Sequence, residues 1–192
     1  MSSSLQLHKK GLRVLGIAES FVKGGKESVL AGVVMRADLQ IDGFSFSKIT
    51  VGGMDATEGV LGIFNKLDRR DINALFLNGC VISWFNIVDL DKVYEASGLP
   101  VFCVTYEESE GLEKYIKEYF DDAEERIKAY RALGPRKKIV LHTGHEVLVR
   151  YLGVETKGDA KALLDRFTLQ GAIPEPLRVA RLLARALLRD ER

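Results

Sequence analysis

The hydrophobic pattern of this chain opens on strand-length runs alone and alternates between helical and strand period from Asp55 onward, and that change restricts the fold more than any other feature. Between residues 12 and 51 the apolar residues come in strand-length runs. LRVLGIAES and SVLAGVVMRA read as buried strands joined through the Gly-Gly of VKGGKE. GFSFSKITV follows as a third, after an Asp42-Gly43 turn, with Phe44 and Phe46 alternating against Ser45 and Ser47. From Asp55 the spacing becomes helical: Val60, Leu61, Phe64 and Leu67 share one face, and Asp55 with Glu58 matches a capping box. The strand NALFLN, the helix NIVDLDKVYEAS, the strand PVFCVTY and the helices GLEKYIKEYF and DDAEERIKAYRAL come next. A late hairpin turns at Thr143-Gly144, and two helices, GDAKALLDRFTL and PEPLRVARLLARALLRDER, close the chain.

An antiparallel meander followed by apolar strands alternating with helices predicts a mixed α/β sheet with its parallel strands covered on both faces. That element order is the order of the ribonuclease H-like fold. Residues 1–192 suit a single domain, and at this length about 70% of the unfolded surface can be buried without a disulfide or metal staple. Cys80 and Cys103 lie in apolar runs with no metal-ligand spacing and read as buried, reduced thiols, which suggests a cytoplasmic location. No stretch has the apolar length of a membrane span, and the N-terminus lacks the core of a secretory signal. Lys and Arg number 28 against 27 Asp and Glu, so any polyanion contact must come from a local patch. Three Gln and four Asn beside so many charges point toward a thermophilic source.

Open sheets bind ligands beyond the carboxyl ends of their strands, where neighbouring tips meet. The first strand ends in Ala18-Glu19-Ser20, the third leads through Gly52-Gly53 to Asp55, and the fourth ends at Asn78-Gly79. Hydrolysis of a phosphodiester by two hard cations needs several carboxylates, and Glu19 and Asp55 are the acids at these tips. Each residue also has a structural reading. Asp55 can be a helix N-cap, Glu19 a solvated loop acid, and Asn78 the residue of a tight strand exit. Asn86 reads as the cap of a helix starting at Ile87, and Trp84 and Phe85 either as core or as base-stacking groups. His142 and His145 flank the hairpin turn and would form a zinc site only if the turn curled them together. Arg178, Arg181, Arg185, Arg189 and Arg192 recur along the last helix opposite Val179, Leu182, Leu183, Ala186 and Leu187. That row is either a solvated face or a track for phosphates.

KKGLRVLGI, GVVMR, DAT, FNIVD and above all RFTLQGAIPEPLRVARLLA resemble a mainly archaeal family labelled predicted endonuclease dU, itself remotely similar to endonuclease V. The resemblance spans nearly the whole chain. It implies an endonuclease V-like topology and a nucleic-acid partner, DNA or RNA. It also implies magnesium or manganese at Glu19 and Asp55 if the site is active, with Asn78 offering a neutral oxygen or orienting water. Arg178, Arg181, Arg185, Phe85 and Asn86 would then contact substrate. The family pattern has Asp-Asp, Val-Asp-Gly and Asp-Gly where this chain has Ala18-Glu19, Val51-Gly52-Gly53 and Asn78-Gly79. The resemblance therefore also implies an acid-depleted site, and a non-catalytic nucleic-acid-binding protein, or an assembly protein whose last helix makes a homo-oligomer, as the alternative.

Overall fold

A computed structural model describes Lys9 and residues 11–190. The meander consists of β1 (Arg13–Ser20), β2 (Glu27–Arg36) and β3 (Ile41–Thr50). After α1 (Ala56–Leu67) and β4 (Ala74–Leu77) come two short strands, β5 (Val81–Ile82) and β6 (Asn86–Ile87). The chain continues through α2 (Leu90–Ser97), β7 (Val101–Thr105), α3 (Glu113–Tyr119) and α4 (Ala123–Ala132). It ends with β8 (Lys137–Val140), β9 (Glu146–Leu152), α5 (Lys157–Arg166) and α6 (Glu175–Asp190). Seven strands form one sheet in the order β3-β2-β1-β4-β7-β9-β8, with β1, β4 and β7 parallel and the other pairs antiparallel. This is the mixed sheet of the ribonuclease H-like fold.

Helices cover both faces. Leu15, Ile17, Leu30 and Leu75 point toward α1 and α2, while Val14, Phe76 and Phe102 point toward α5 and the start of α6. The alternation follows from the period of a strand, and both layers are apolar because the central strands are buried on both sides. On the second face α6 lies directly on the sheet. A Cβ on Gly16 would fall 2.5 Å from the Pro176 side chain, so only glycine permits this approach. Small residues do the packing here, and the apolar seam of α6 is Leu177, Ala180 and Ala184. The expected stripe is therefore displaced, and Leu182 is left exposed.

The third strand also differs from its reading. Asp42 and Gly43 lie within β3, and the chain reverses earlier, through left-handed Leu39. Ser45 is buried and Phe44 and Phe46 are 53% and 56% exposed. The cause is the closeness of α1: a Cβ on Gly59 would meet Ile49 at 2.3 Å, and Ser47 Oγ donates to the Gly59 carbonyl at 3.1 Å. The inner face of β3 has room for serine but not for a ring.

Cys80 and Cys103 form a disulfide, which corrects the expectation of two free thiols. Leu77 pairs with Cys103 across the parallel strands β4 and β7, and left-handed Gly79 (φ 96°) turns the chain so that the two Cα atoms lie 6.0 Å apart. The ground for inferring a reducing compartment is thereby removed. Among the described residues no helix is long and apolar enough to cross a membrane.

Candidate functional site

The carboxyl ends of β1, β4 and β7 open on the same edge of the sheet because the three strands are parallel. They frame a cleft of 580 Å³. Glu19 comes from the end of β1, Asn78 from the residue after β4, and Thr105, Tyr106 and Glu107 from the end of β7; Arg136, Arg181 and Arg185 complete the wall. Three guanidinium groups thus face two carboxylates, and the cleft is net cationic. A larger hollow of 640 Å³ lies between α2, α4 and β9, where four acids balance four bases and no strand tips converge.

Glu19 is the central group of the cleft. Its Oε2 is buried and has no hydrogen-bond partner. Burial pushes its carboxyl above the usual range, offset in part by the Ser83 backbone, the Ser28 hydroxyl and the charge of Arg181. Opposite it, Asn78 Oδ1 accepts the Tyr106 hydroxyl at 2.9 Å. Burial also pushes the Tyr106 phenol upward, so it stays a neutral donor. Sequence reasoning missed Tyr106 and Arg136. Tyr106 follows the third parallel strand and was accessible to the same strand-tip argument that selects Glu19 and Asn78.

Asp55 does not line this cleft. Its carboxylate accepts from Thr50 N at 3.0 and 3.1 Å, from Thr50 Oγ1 at 2.8 Å and from Asn86 Nδ2 at 2.7 Å. Burial pushes its carboxyl up, but the bonds from Asn86 and Thr50 outweigh that and hold it below the usual range. The carboxylate is turned back onto β3, and it makes neither the cap bond nor the capping box expected at the start of α1. The cap is supplied from elsewhere. Asn86, fully buried, accepts the Ala56 N–H at 2.9 Å and donates to the Thr50 carbonyl at 2.9 Å. It closes α1 and not α2, whose N-cap is Asp89. Both residues belong to the frame of the site, and Asn86 has no surface to offer a substrate.

Phe85 and Trp84 sit in the turn between β5 and β6. Ser83, Trp84 and Phe85 are all left-handed, with φ of 45°, 64° and 62°. Arg126 holds this turn: its Nη1 donates to the carbonyls of Gly53 (3.0 Å) and Phe85 (3.2 Å), its Nη2 to Gly52 (2.8 Å) and its Nε to Asp122 (2.7 Å). The arginine row of α6 divides. Arg181 and Arg185 reach the cleft, whereas Arg178 is tied to buried Glu175 through Nε at 2.8 Å and lies outside the lining. Arg192 lies outside the described residues. His142 Nε2 contacts the Thr168 carbonyl and His145 Nδ1 that of Thr143, so the two imidazoles serve the hairpin separately.

These placements bear directly on a two-cation centre. Asp55 has both oxygens engaged, Asn78 is neutral and occupied by Tyr106, and of these three candidates only Glu19 presents an unpartnered oxygen. Among the described residues no group of three or more His, Cys, Asp or Glu could hold a metal ion. The residues present do not fit a pair of magnesium or manganese ions.

One consequence concerns Glu19 itself. A carboxyl whose folded pKa lies above its unfolded value costs stability once ionised, so stability falls as pH rises out of the ordinary carboxylate range. Glu19→Gln removes that cost. We expect it to raise the melting temperature at neutral pH by about 2–4 °C, for relief of about 1 kcal/mol, and the gain to vanish near pH ~4. An unchanged or lowered melting temperature in thermal scans at neutral pH would contradict it.

The fold is shared with known structures. Endonuclease V of Ciona intestinalis, solved with a DNA containing an inosine, superposes with a TM-score of 0.65 at 15% identity, covering 95% of this chain and 88% of that one. A protein from Archaeoglobus fulgidus gives 0.79 at 26% identity, over 92% of this chain and 98% of its own. The Argonaute of Aquifex aeolicus gives 0.58 at 15%, over 94% of this chain but 29% of that protein. By sequence, a UPF0215 protein of Pyrobaculum calidifontis is 38% identical over 173 residues, 88% of this chain and 93% of that protein. Another, from Methanocaldococcus jannaschii, is 33% identical over 185 residues, 95% and 97% of the two chains. Residues 10–188 match the family described as Endonuclease dU, and the chain belongs to that family.

Proposed function

We propose that the protein binds nucleic acid in the cleft at the ends of β1, β4 and β7, and that this cleft has lost two-ion phosphodiester hydrolysis. The observation that carries the reading is the wall itself. Arg136, Arg181 and Arg185 outnumber the two carboxylates of the site, Glu19 and Glu107, and its Asn78 amide and Tyr106 phenol are neutral. Guanidinium groups bind phosphate oxygens by paired hydrogen bonds, and a row of them one helical turn apart suits successive phosphates. Membership of a family described as an endonuclease and the likeness to a DNA-bound endonuclease V support nucleic acid as the partner.

Fluorescence anisotropy with labelled single- and double-stranded DNA and RNA, over a range of salt, tests the reading. An Arg181→Ala/Arg185→Ala double variant should bind roughly 10- to 100-fold more weakly and lower the salt slope by about 1–2. Equal binding by the variant, or binding insensitive to salt, would remove the proposal. A second reading, hydrolysis assisted by a single magnesium or manganese ion, is favoured by the unpartnered Oε2 of Glu19. Metal-dependent cleavage abolished in Glu19→Gln would put it ahead of the first.

A further inference from the structure

The turn at residues 83–85 is built against backbone preference. Left-handed φ strains a non-glycine residue, and here three such residues occur in succession. A three-residue hairpin loop ordinarily needs only one left-handed residue, after a type I turn. The turn is held in place from beneath. Gly52 N donates to the Ser83 carbonyl at 2.8 Å, Ser83 Oγ to Ser28 Oγ at 2.7 Å, and Arg126 to the Phe85 carbonyl at 3.2 Å.

The conformation brings aromatic rings together. Phe85 packs edge-on against Phe120 at 5.8 Å and supports Trp84 at 5.3 Å, while Tyr119 meets Trp84 at 5.2 Å in a tilted arrangement. Trp84 and Phe85 are both partly exposed, and Tyr119 beside them is half-exposed. The Lys23 ammonium lies over the Trp84 ring at 4.7 Å. This lysine is exposed, and its flexible stem allows it to leave the ring for a phosphate. The turn also adjoins the cleft, because the Ser83 backbone is among the groups acting on Glu19.

We propose that Trp84 and Tyr119 form a stacking shelf for an unpaired base of a single strand held in the cleft, with Lys23 moving from the ring to the adjoining phosphate. The inference rests on nucleic-acid binding in the cleft and specifies its single-stranded class. It accounts for the strain at this turn: the conformation holds a partly exposed indole beside a cationic groove. Base-to-aromatic stacking is sequence-tolerant, so the shelf reads the absence of pairing and not the identity of the base.

Trp84 is the sole tryptophan of the chain, so its fluorescence reports the shelf alone. Short oligothymidylate is titrated into the protein while indole emission and the anisotropy of a labelled copy are followed together. Quenching that saturates along with anisotropy is the expected result, and a blunt duplex should bind without quenching. Trp84→Asn, whose residue type tolerates left-handed φ, keeps the fold and should weaken oligothymidylate binding about 5- to 150-fold, with Trp84→Phe close to the parent. Binding by anisotropy with unquenched Trp84 and an unaffected Asn variant overturns the shelf and leaves the cleft proposal standing. No binding in either channel overturns both.

Discussion

An Arg126→Met variant should unfold at a markedly lower temperature than the parent protein. Arg126 is 5% exposed, yet its guanidinium is satisfied on all sides by three carbonyls and the Asp122 carboxylate, and its plane lies 3.9 Å from the Phe120 ring centroid. Methionine keeps the bulk and removes the donors. The carbonyls of Gly52, Gly53 and Phe85 are then left short of partners, and breaking a buried charged network in this way costs about 3–5 kcal/mol. At about 2–4 °C per kcal/mol for a chain of this size, thermal denaturation should shift down by roughly 6–20 °C. A shift smaller than about 3 °C would mean the carbonyls find other donors. Because Arg126 links α4 to the turn at 83–85 and to the loop after β3, the variant should also lose protection from hydrogen exchange there before the central strands do.

Asn86→Ala is expected to cost about 2–4 kcal/mol, from three broken hydrogen bonds, one of which leaves the Ala56 N–H orphaned in the first turn of α1. Asn86→Asp makes a sharper test. It preserves size but places a second carboxylate where Asn86 Nδ2 now donates to Asp55 at 2.7 Å and to the Thr50 carbonyl at 2.9 Å. At neutral pH two like charges would face each other, so the aspartate variant should be the less stable of the two. Acidification through the carboxylate range protonates the pair and should restore much of the loss. Chemical denaturation at neutral and mildly acidic pH measures this. An aspartate variant as stable as the parent at neutral pH would show that the amide does not donate to Asp55.

The central strands and most helices were legible because burial on both faces of β1, β4 and β7 leaves apolar runs that no surface element carries. Asn86 was misread for a definite reason. An Asn with an Asp three residues later is the local signature of a helix start, but this amide caps a helix whose first residue lies thirty positions earlier in the chain. A cap delivered through tertiary structure leaves no local pattern. The turn at 83–85 was hidden in the same way, since it lacks the Gly or Asn that ordinarily announces left-handed backbone. Asp55 looked like a ligand because it stands near a strand tip. Its side chain, however, points back to Thr50, and direction is set by contacts that spacing does not encode. Glu19 and Asn78 were found because their placement depends only on strand order, and Tyr106 could have been found by the same route.

The bond between Cys80 and Cys103 joins the segment after Asn78 to the strand that leads to Tyr106. The chain from Cys80 to Cys103 is therefore closed into one covalent ring, which begins two residues after Asn78 and ends three before Tyr106. A reductant that opens this bond would leave the pairing of β4 with β7 to hold the two segments together.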